Sequence, residues 1–252
     1  MLPLARRQWI QQKIKENGNV DIVEISNELN VSSMTIRRDL KELEKEEKVI
    51  RTHGGAISTQ SMTLEVPYSS KEGRNLKEKQ AIALKASTNI PEYSTIILDS
   101  GTTTLELAKL IKYRKDLTVV TNDVKIANEL IDSEVKVIVI GGEMQNEIGA
   151  LFGTLAEKIL QNLNVDIAFI GAHGINYENG LTAPAVEKAS LKNLMIDYSN
   201  EQWLLADSSK FNKKSFATVC DLSHVSGVIT NESIPKELKL KYEEKIRIVL
   251  GG

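Results

Sequence analysis

Short amphipathic helices joined by tight turns fill residues 1–57, and seven β-rich runs alternate with helical stretches beyond residue 75. Together these predict an α/β chain: a small winged helix-turn-helix domain (1–57), then a Rossmann-like α/β domain (76–252). Residues 58–75, "TQSMTLEVPYSSKEGRNL", are polar, lack periodicity and contain Pro67, so they are expected to be a linker.

Composition narrows the class. With 252 residues, 41% hydrophobic and 26% charged, the chain can bury a large core and is not expected to be disordered. No run of about 18 apolar residues exists, and the N-terminus is too polar for a signal peptide, so a cytoplasmic protein without a membrane partner is expected. A single cysteine, Cys220, cannot make an internal disulfide and reads as a small buried residue. Residues 1–57 carry ten Lys and Arg against nine Asp and Glu, so any case for nucleic acid rests on where charges sit.

In chain order, Leu4, Trp9, Ile10 and Ile14 recur at helical spacing, and Asn17-Gly18 ends that helix. Asp21 with Glu24 resembles a capping box for a second helix whose apolar side is Ile22, Ile25 and Leu29. "LNVSS" is a tight turn in which Ser32 or Ser33 caps a third helix, with Ile36, Leu40 and Leu43 inward. "KVIRTHGGA" then alternates toward a Gly-Gly turn, as a wing does. In the second domain the runs "TIILD", "LTVV", "VKVIVIGG", "VDIAFIGA", "QWLLAD", "GVIT" and "IRIVL" are strands. The stretches "TTLELAKLIK", "DVKIANELI", "TLAEKILQNL", "AVEKASLKNLMIDYS" and "PKELKLKYEEK" are the intervening helices.

Two constellations carry chemistry. In the third helix Ser33, Thr35, Arg37, Arg38 and Lys41 fall on the turn and on faces left free by Ile36 and Leu40, with Arg51 and His53 following in the wing. Hydroxyls and cations can take phosphates, and Arg can read the guanine O6/N7 edge. The competing reading is a solvated helix with internal ion pairs, because Asp39, Glu42, Glu44, Glu46 and Glu47 follow. The preceding turn and the wing favour double-stranded DNA.

The second is "TIILDSGTTTLELAKLI". A strand ends at Asp99, and Ser100, Gly101, Thr102, Thr103 and Thr104 open a helix whose free N–H groups suit a phosphate. Such a loop can also be capped by its own hydroxyls. Asp99 would repel a phosphate, so it is expected to hold neighbouring N–H groups or a sugar hydroxyl. Other strand ends supply Asn122, Asp123, Gly141, Gly142, Gly171, His173, Gly174, Asp207, Ser208 and Lys210. Ligands of open parallel sheets sit at these ends, so the turns are expected to converge on one pocket, with Lys210 as countercharge.

"VSSMTIRRDL" and "RTHGGA" closely resemble the N-terminal motif of the DeoR family of bacterial transcriptional regulators. The resemblance implies that Thr35, Arg37 and Arg38 face DNA and that Arg51 to Ala56 form the wing. Glu47 departs from it, standing where members often carry Gly or Asn. "LDSGTTTLELA", "LTVVTNDVKIA", "GALFGTLAEKIL", "DIAFIGAHGI", "GLTAPAVEKASLK" and "LLADSSKF" resemble the family's effector domain over roughly residues 75–232. That domain is similar in fold to sugar-phosphate isomerases and CoA transferases and senses a phosphorylated sugar or related metabolite. "NIPEYSTIILD" lacks the glycine that members often have before this strand.

An isomerase needs a base over the carbon and a partner for the oxygen. Glu187 and Asp207, with His173 beside them, are the candidates, but Glu187 is spaced to pair with Lys188 or Lys192 and Asp207 to orient its own turn. His224 reads as a surface or turn residue, and no His/Cys/carboxylate spacing suggests a metal. A sugar-kinase phosphate loop also reads Asp-x-Gly-Thr-Thr but joins two strands, whereas "TTLELAKLIK" is helical. The expectation is a non-enzymatic, cofactor-free repressor of sugar-metabolism genes. It would bind operator DNA as a homo-oligomer under control of a phosphorylated sugar, an isomerase-like enzyme with an appended DNA-binding domain being the alternative.

Overall fold

A computed structural model describes all residues except 47, 53, 59–61 and 64, and divides the chain into two units, Met1–Gly73 and Arg74–Gly252. In the first, α1 (Pro3–Asn17), β1 (Asn19–Asp21), α2 (Ile22–Glu28), α3 (Ser33–Lys45), β2 (Val49–Arg51), β3 (Gly55–Ser58) and α4 (Tyr68–Glu72) follow one another. Ile10, Ile14, Ile22, Ile25, Ile36, Leu40, Leu43 and Val49 form the core, each an apolar position on the inner face of its element. Leu4, placed on the apolar side by its spacing, is exposed in the first turn of α1. The caps explain the boundaries. Gly18, at φ 80°, closes α1 by donating its N–H to the Ile14 carbonyl. Asp21 Oδ1 accepts from Val23 and Glu24, and Ser32 Oγ from Thr35.

The wing is more than a hairpin. β3 is central in an antiparallel sheet of order β1-β3-β2, so the Asn19–Asp21 strand, absent from the sequence expectation, closes it. This pairing explains the second glycine of the Gly-Gly turn. A Cβ on Gly55 would sit 1.8 Å from the Val20 carbonyl oxygen, so no side chain fits while β1 stays paired. Part of the stretch expected to be linker, Tyr68–Glu72, is helical.

The second unit runs α5 (Leu76–Ser87), β4 (Thr95–Leu98), α6 (Thr102–Ile111), β5 (Thr118–Thr121), α7 (Val124–Glu129), β6 (Lys136–Val139), β7 (Glu143–Gln145), β8 (Ala150–Phe152), α8 (Thr154–Leu160), β9 (Val165–Gly171), β10 (Gly174–Asn176), β11 (Gly180–Ala183), α9 (Val186–Asp197), β12 (Ser199–Leu205), β13 (Ala217–Cys220), β14 (Gly227–Asn231), α10 (Lys236–Glu243) and β15 (Ile248–Gly251). The seven β-rich runs named above become one parallel sheet of order β15-β14-β12-β9-β4-β5-β6. Ile97, Val120, Ala168, Ile170, Leu204 and Val228 fill its buried centre, the near-continuous apolar pattern of strands covered on both faces. The chain leaves β4 toward β5 and β6, then returns to the other side of β4 with β9 and continues outward. That reversal is a topological switch point, and it opens a crevice at the carboxyl ends of β4 and β9. Two smaller sheets, β7-β8 and β10-β11-β13, and helix α5 were not anticipated.

Cys220 is buried, and burial pushes its thiol up to about 12, as befits a packing residue. His224 is exposed at the end of a 3-10 turn. The glycine missing before β4 has a structural counterpart: Tyr93 adopts φ 59°, in the left-handed region that costs an L-residue about 1–2 kcal/mol. Its side chain is exposed. Tyr93→Gly is therefore expected to stabilise the second unit by about 0.5–1 kcal/mol after the entropy of glycine is subtracted. A raised melting temperature of that unit is the check, and an unchanged or lowered one contradicts it.

Candidate DNA interface and effector site

On α3 the inner face is Ile36, Asp39, Leu40 and Leu43, and Arg37, Arg38 and Lys41 are exposed. The carboxylates that argued for a merely solvated helix are engaged elsewhere. Asp39 is buried against Arg6 of α1, Glu42 meets Lys45 at 2.8 Å, and Glu44 faces Arg51 of β2 at 3.6 Å. Glu46 lies 2.5 Å from Lys48, which together with the hydrogen bond lowers its carboxyl pKa. Among the described residues, Arg37, Arg38 and Lys41 have no carboxylate partner. The helix thus presents an unneutralised cationic face at its N-terminal half, where a helix-turn-helix meets base edges.

The other predicted interface residues divide. Thr35 shares a 2.9 Å hydroxyl contact with Ser32 and remains partly open to solvent. Ser33 is turned toward Ser26 of α2, 3.5 Å away. Arg51 braces the wing against α3, its N–H donating to Glu44 and its guanidinium facing the same carboxylate. His53 and Glu47 lie outside the described residues.

At the switch point a narrow, partly open cleft is lined by Asp99, Ser100, Phe152, His173, Lys188, Leu191 and Lys192. Its floor is a hydrogen-bonded clamp between β4 and β9. Asp99 Oδ2 accepts the Gly171 N–H at 2.9 Å and contacts the Lys192 ammonium, which donates to the Gly171 carbonyl at 2.8 Å. Asp99 thus holds a neighbouring N–H, and Lys192 is its partner rather than that of Glu187. Asp99, Lys188 and Lys192 are only 3, 5 and 4% exposed. Lys188 also lies over the Phe152 ring, 5.4 Å from its centroid.

The loop from Ser100 to Thr104 is not capped by its own hydroxyls. Ser100 Oγ donates to Asp123 at 2.8 Å, Thr104 Oγ1 donates to the Gly101 carbonyl at 2.9 Å, and the Gly101 N-cap offers no side chain. Helix α7, by contrast, is capped by Asp123 Oδ1 through Lys125 and Ile126. The first-turn amides of α6, Thr102 and Thr103 included, therefore have no side-chain cap, the arrangement that accepts an anion.

Several nominated residues support this loop rather than line the cleft. Asn122 Oδ1 accepts the Ser100 N–H at 2.9 Å and its amide reaches the Leu151 carbonyl. Asp123 has its carboxyl pKa raised by burial, against the hydrogen bonds from Ser100, Lys125 and Ile126. Gly141 and Gly142 precede the β7-β8 hairpin. A Cβ on Gly142, at φ 144°, would meet the Phe152 carbonyl oxygen at 2.1 Å, so this glycine lets the hairpin carry Phe152 to the cleft. Gly174 packs under Lys213 and Thr182. Asp207, Ser208 and Lys210 form a turn after β12. Burial raises the Asp207 carboxyl, but Lys210 and hydrogen bonds from Ser209 and Asn75 outweigh it and leave it lowered. Lys210 does not line the cleft, and Glu187 is exposed on the first turn of α9.

The cations that do line it, Lys188 and Lys192, are one turn apart on α9, on the side that carries Leu191 and Met195 inward. That spacing, lysines four apart in register with apolar residues, is the signal sequence reasoning passed over. Among the described residues no helix is long and apolar enough to cross a membrane.

A helix-turn-helix with an open cationic face, carried on one chain with an anion-receptive α/β unit, defines a DNA-binding regulator with a sensor domain. Residues 6–62 match the DeoR-like helix-turn-helix domain and residues 74–232 the DeoR C terminal sensor domain. The HTH-type transcriptional regulator GlpR of Haloferax volcanii is 34% identical over all of this chain and 99% of its own length. The putative aga operon transcriptional repressor of Escherichia coli O157:H7 is 33% identical over 98% of this chain and 93% of its own. The chain belongs to the DeoR family of transcriptional regulators. Among solved structures, ribose 5-phosphate isomerase A from Methanocaldococcus jannaschii shows a loose partial likeness: 17% identity, 54% of this chain and 55% of that one, TM-score 0.41.

Proposed function

We propose that this regulator is a cytoplasmic repressor of sugar-metabolism genes that binds its operator as a homo-oligomer and is released or retained by a phosphorylated sugar. The observation that carries the effector assignment is the start of α6, without a side-chain cap, opening beside a cleft with two buried lysines. The phosphate lies against the Thr102 and Thr103 amides with Lys188 as countercharge, and the sugar hydroxyls reach toward Ser100 and Asp99. The likeness to a putative operon repressor supports the repressor assignment. Oligomerisation follows from the small surface of one helix-turn-helix, which gains affinity by engaging two half-sites. Neither of the candidate bases for an isomerase, Glu187 and Asp207, lines the cleft, which disfavours turnover.

An effector acts only through its differential affinity for the two DNA-binding states, typically about 1–3 kcal/mol or roughly 5- to 150-fold in operator affinity. A panel of pentose and hexose phosphates is titrated calorimetrically, and gel shifts on operator DNA are run with each binder. Wild type is expected to bind one class without converting it and to change its operator affinity within that range. Lys188→Met and Thr103→Glu should abolish the response and keep basal operator binding. A response retained in both variants, or turnover of any phosphosugar, refutes the proposal.

A further inference from the structure

Met34 is the second residue of α3 and is 74% exposed. It lies opposite the buried stripe of Ile36, Leu40 and Leu43, and with Arg38, Lys41 and Lys45 it forms an outward row at i, i+4, i+7 and i+11. Every other member of the row is a cation, and Arg37 flanks it. A lone exposed apolar side chain is ordinary on a protein surface. Here it occupies the N-terminal end of a row whose charge fits it to a polyanion, the end that penetrates deepest into the groove in a helix-turn-helix. An ammonium in that place would be drawn to the phosphates at the groove walls. A thioether is drawn to the one apolar group on a base edge in the major groove, the thymine 5-methyl. Met is also unbranched and polarizable, so it can reach past Arg38 and settle on a methyl without a fixed geometry.

We propose that Met34 is a specificity-determining residue that contacts a thymine methyl group in each half-site, setting one base that neither Arg37 nor Arg38 reads. The arginines supply phosphate contacts and guanine recognition, and Met34 adds discrimination for thymine over cytosine and over uracil. This reading rests on the DNA-binding unit alone and is independent of which metabolite occupies the cleft.

The test uses the full-length chain. Duplexes selected from a random pool by wild type define the preferred site, and each thymine of that site is then replaced singly by deoxyuridine, which deletes only the methyl. Wild type is expected to lose about fourfold at one position per half-site, the scale of one buried methyl. Met34→Ala should bind the thymine duplex about as weakly as wild type binds the uracil one and should show no uracil penalty there. Because Met34 is exposed, the variant's melting curve should overlay that of wild type. Indifference of wild type to uracil at every thymine overturns the proposal, as does an equal uracil penalty in Met34→Ala. A selection that returns no thymine in the site, or a Met34→Ala loss that is uniform across unrelated sequences, overturns it as well.

Discussion

Arg6→Ala is expected to destabilise the DNA-binding unit severely while the transition of the effector unit stays in place. Arg6 Nε donates to the Asp39 carboxylate across the α1-α3 interface, and both residues are buried, at 8 and 5% exposure. Removing the guanidinium leaves a buried carboxylate without its counterion, a change that costs about 3–5 kcal/mol. The unit spans only Met1–Gly73, and domains of that size hold roughly 0.05–0.15 kcal/mol per residue, about 4–11 kcal/mol in all, so the loss takes a large share of its stability. Replacing both partners by apolar residues, Arg6→Met with Asp39→Leu, should recover most of it, because the pair contributes less than a broken pair costs. Thermal unfolding of the three proteins separates these effects. An Arg6→Ala variant whose first transition matches wild type, and which still binds DNA, would show that the pair is not what fixes α3 on α1.

The pair also marks where the sequence stopped being informative. The inner stripe of α3 and the Ser32 cap could be read because both follow from local spacing and the chemistry of one hydroxyl. Asp39 could not be separated from Glu42 and Glu44 that way, since its partner lies 33 residues upstream and only packing selects it. The main sheet was legible for the opposite reason. Its seven strands are short apolar runs bounded by turns, and the central ones are buried whatever their neighbours are. Strand β1 is only three residues long, and its role depends on β3, which returns beside it more than thirty residues later. In the effector unit the Ser100–Thr104 loop was visible as a glycine between hydroxyls at a strand end. The lysines opposite it were hidden, because Lys188 and Lys192 stand at spacings from Glu187 that suggest a local ion pair. Only the fold shows that Glu187 faces solvent and the two lysines face the cleft.

Lys192→Met should therefore be far more damaging than Lys188→Met, although both remove one cation from the same cleft. Lys192 holds the switch point closed: its ammonium contacts Asp99 and donates to the Gly171 carbonyl, while the Gly171 N–H donates to Asp99. Without it, Asp99 keeps the Gly171 N–H but loses that ammonium at 3% exposure, and about 3–5 kcal/mol of the effector unit's stability is expected to go. Lys188 lies over the Phe152 ring, and a cation over a ring contributes about 0.5–2 kcal/mol. Its replacement by Met, similar in length and apolar, keeps contact with that ring and should cost less than the loss of Lys192. The metabolite response should vanish in both, from loss of countercharge in Lys188→Met and from collapse of the β4-β9 clamp in Lys192→Met. Adding Asp99→Asn to Lys192→Met removes the stranded charge and should restore part of the stability without restoring the response. Melting temperatures of the effector unit, read alongside calorimetric titration of the phosphosugar, distinguish the two roles. If Lys192→Met melts within a degree or two of Lys188→Met, the ammonium is a ligand contact only, and the clamp between β4 and β9 is held by the backbone.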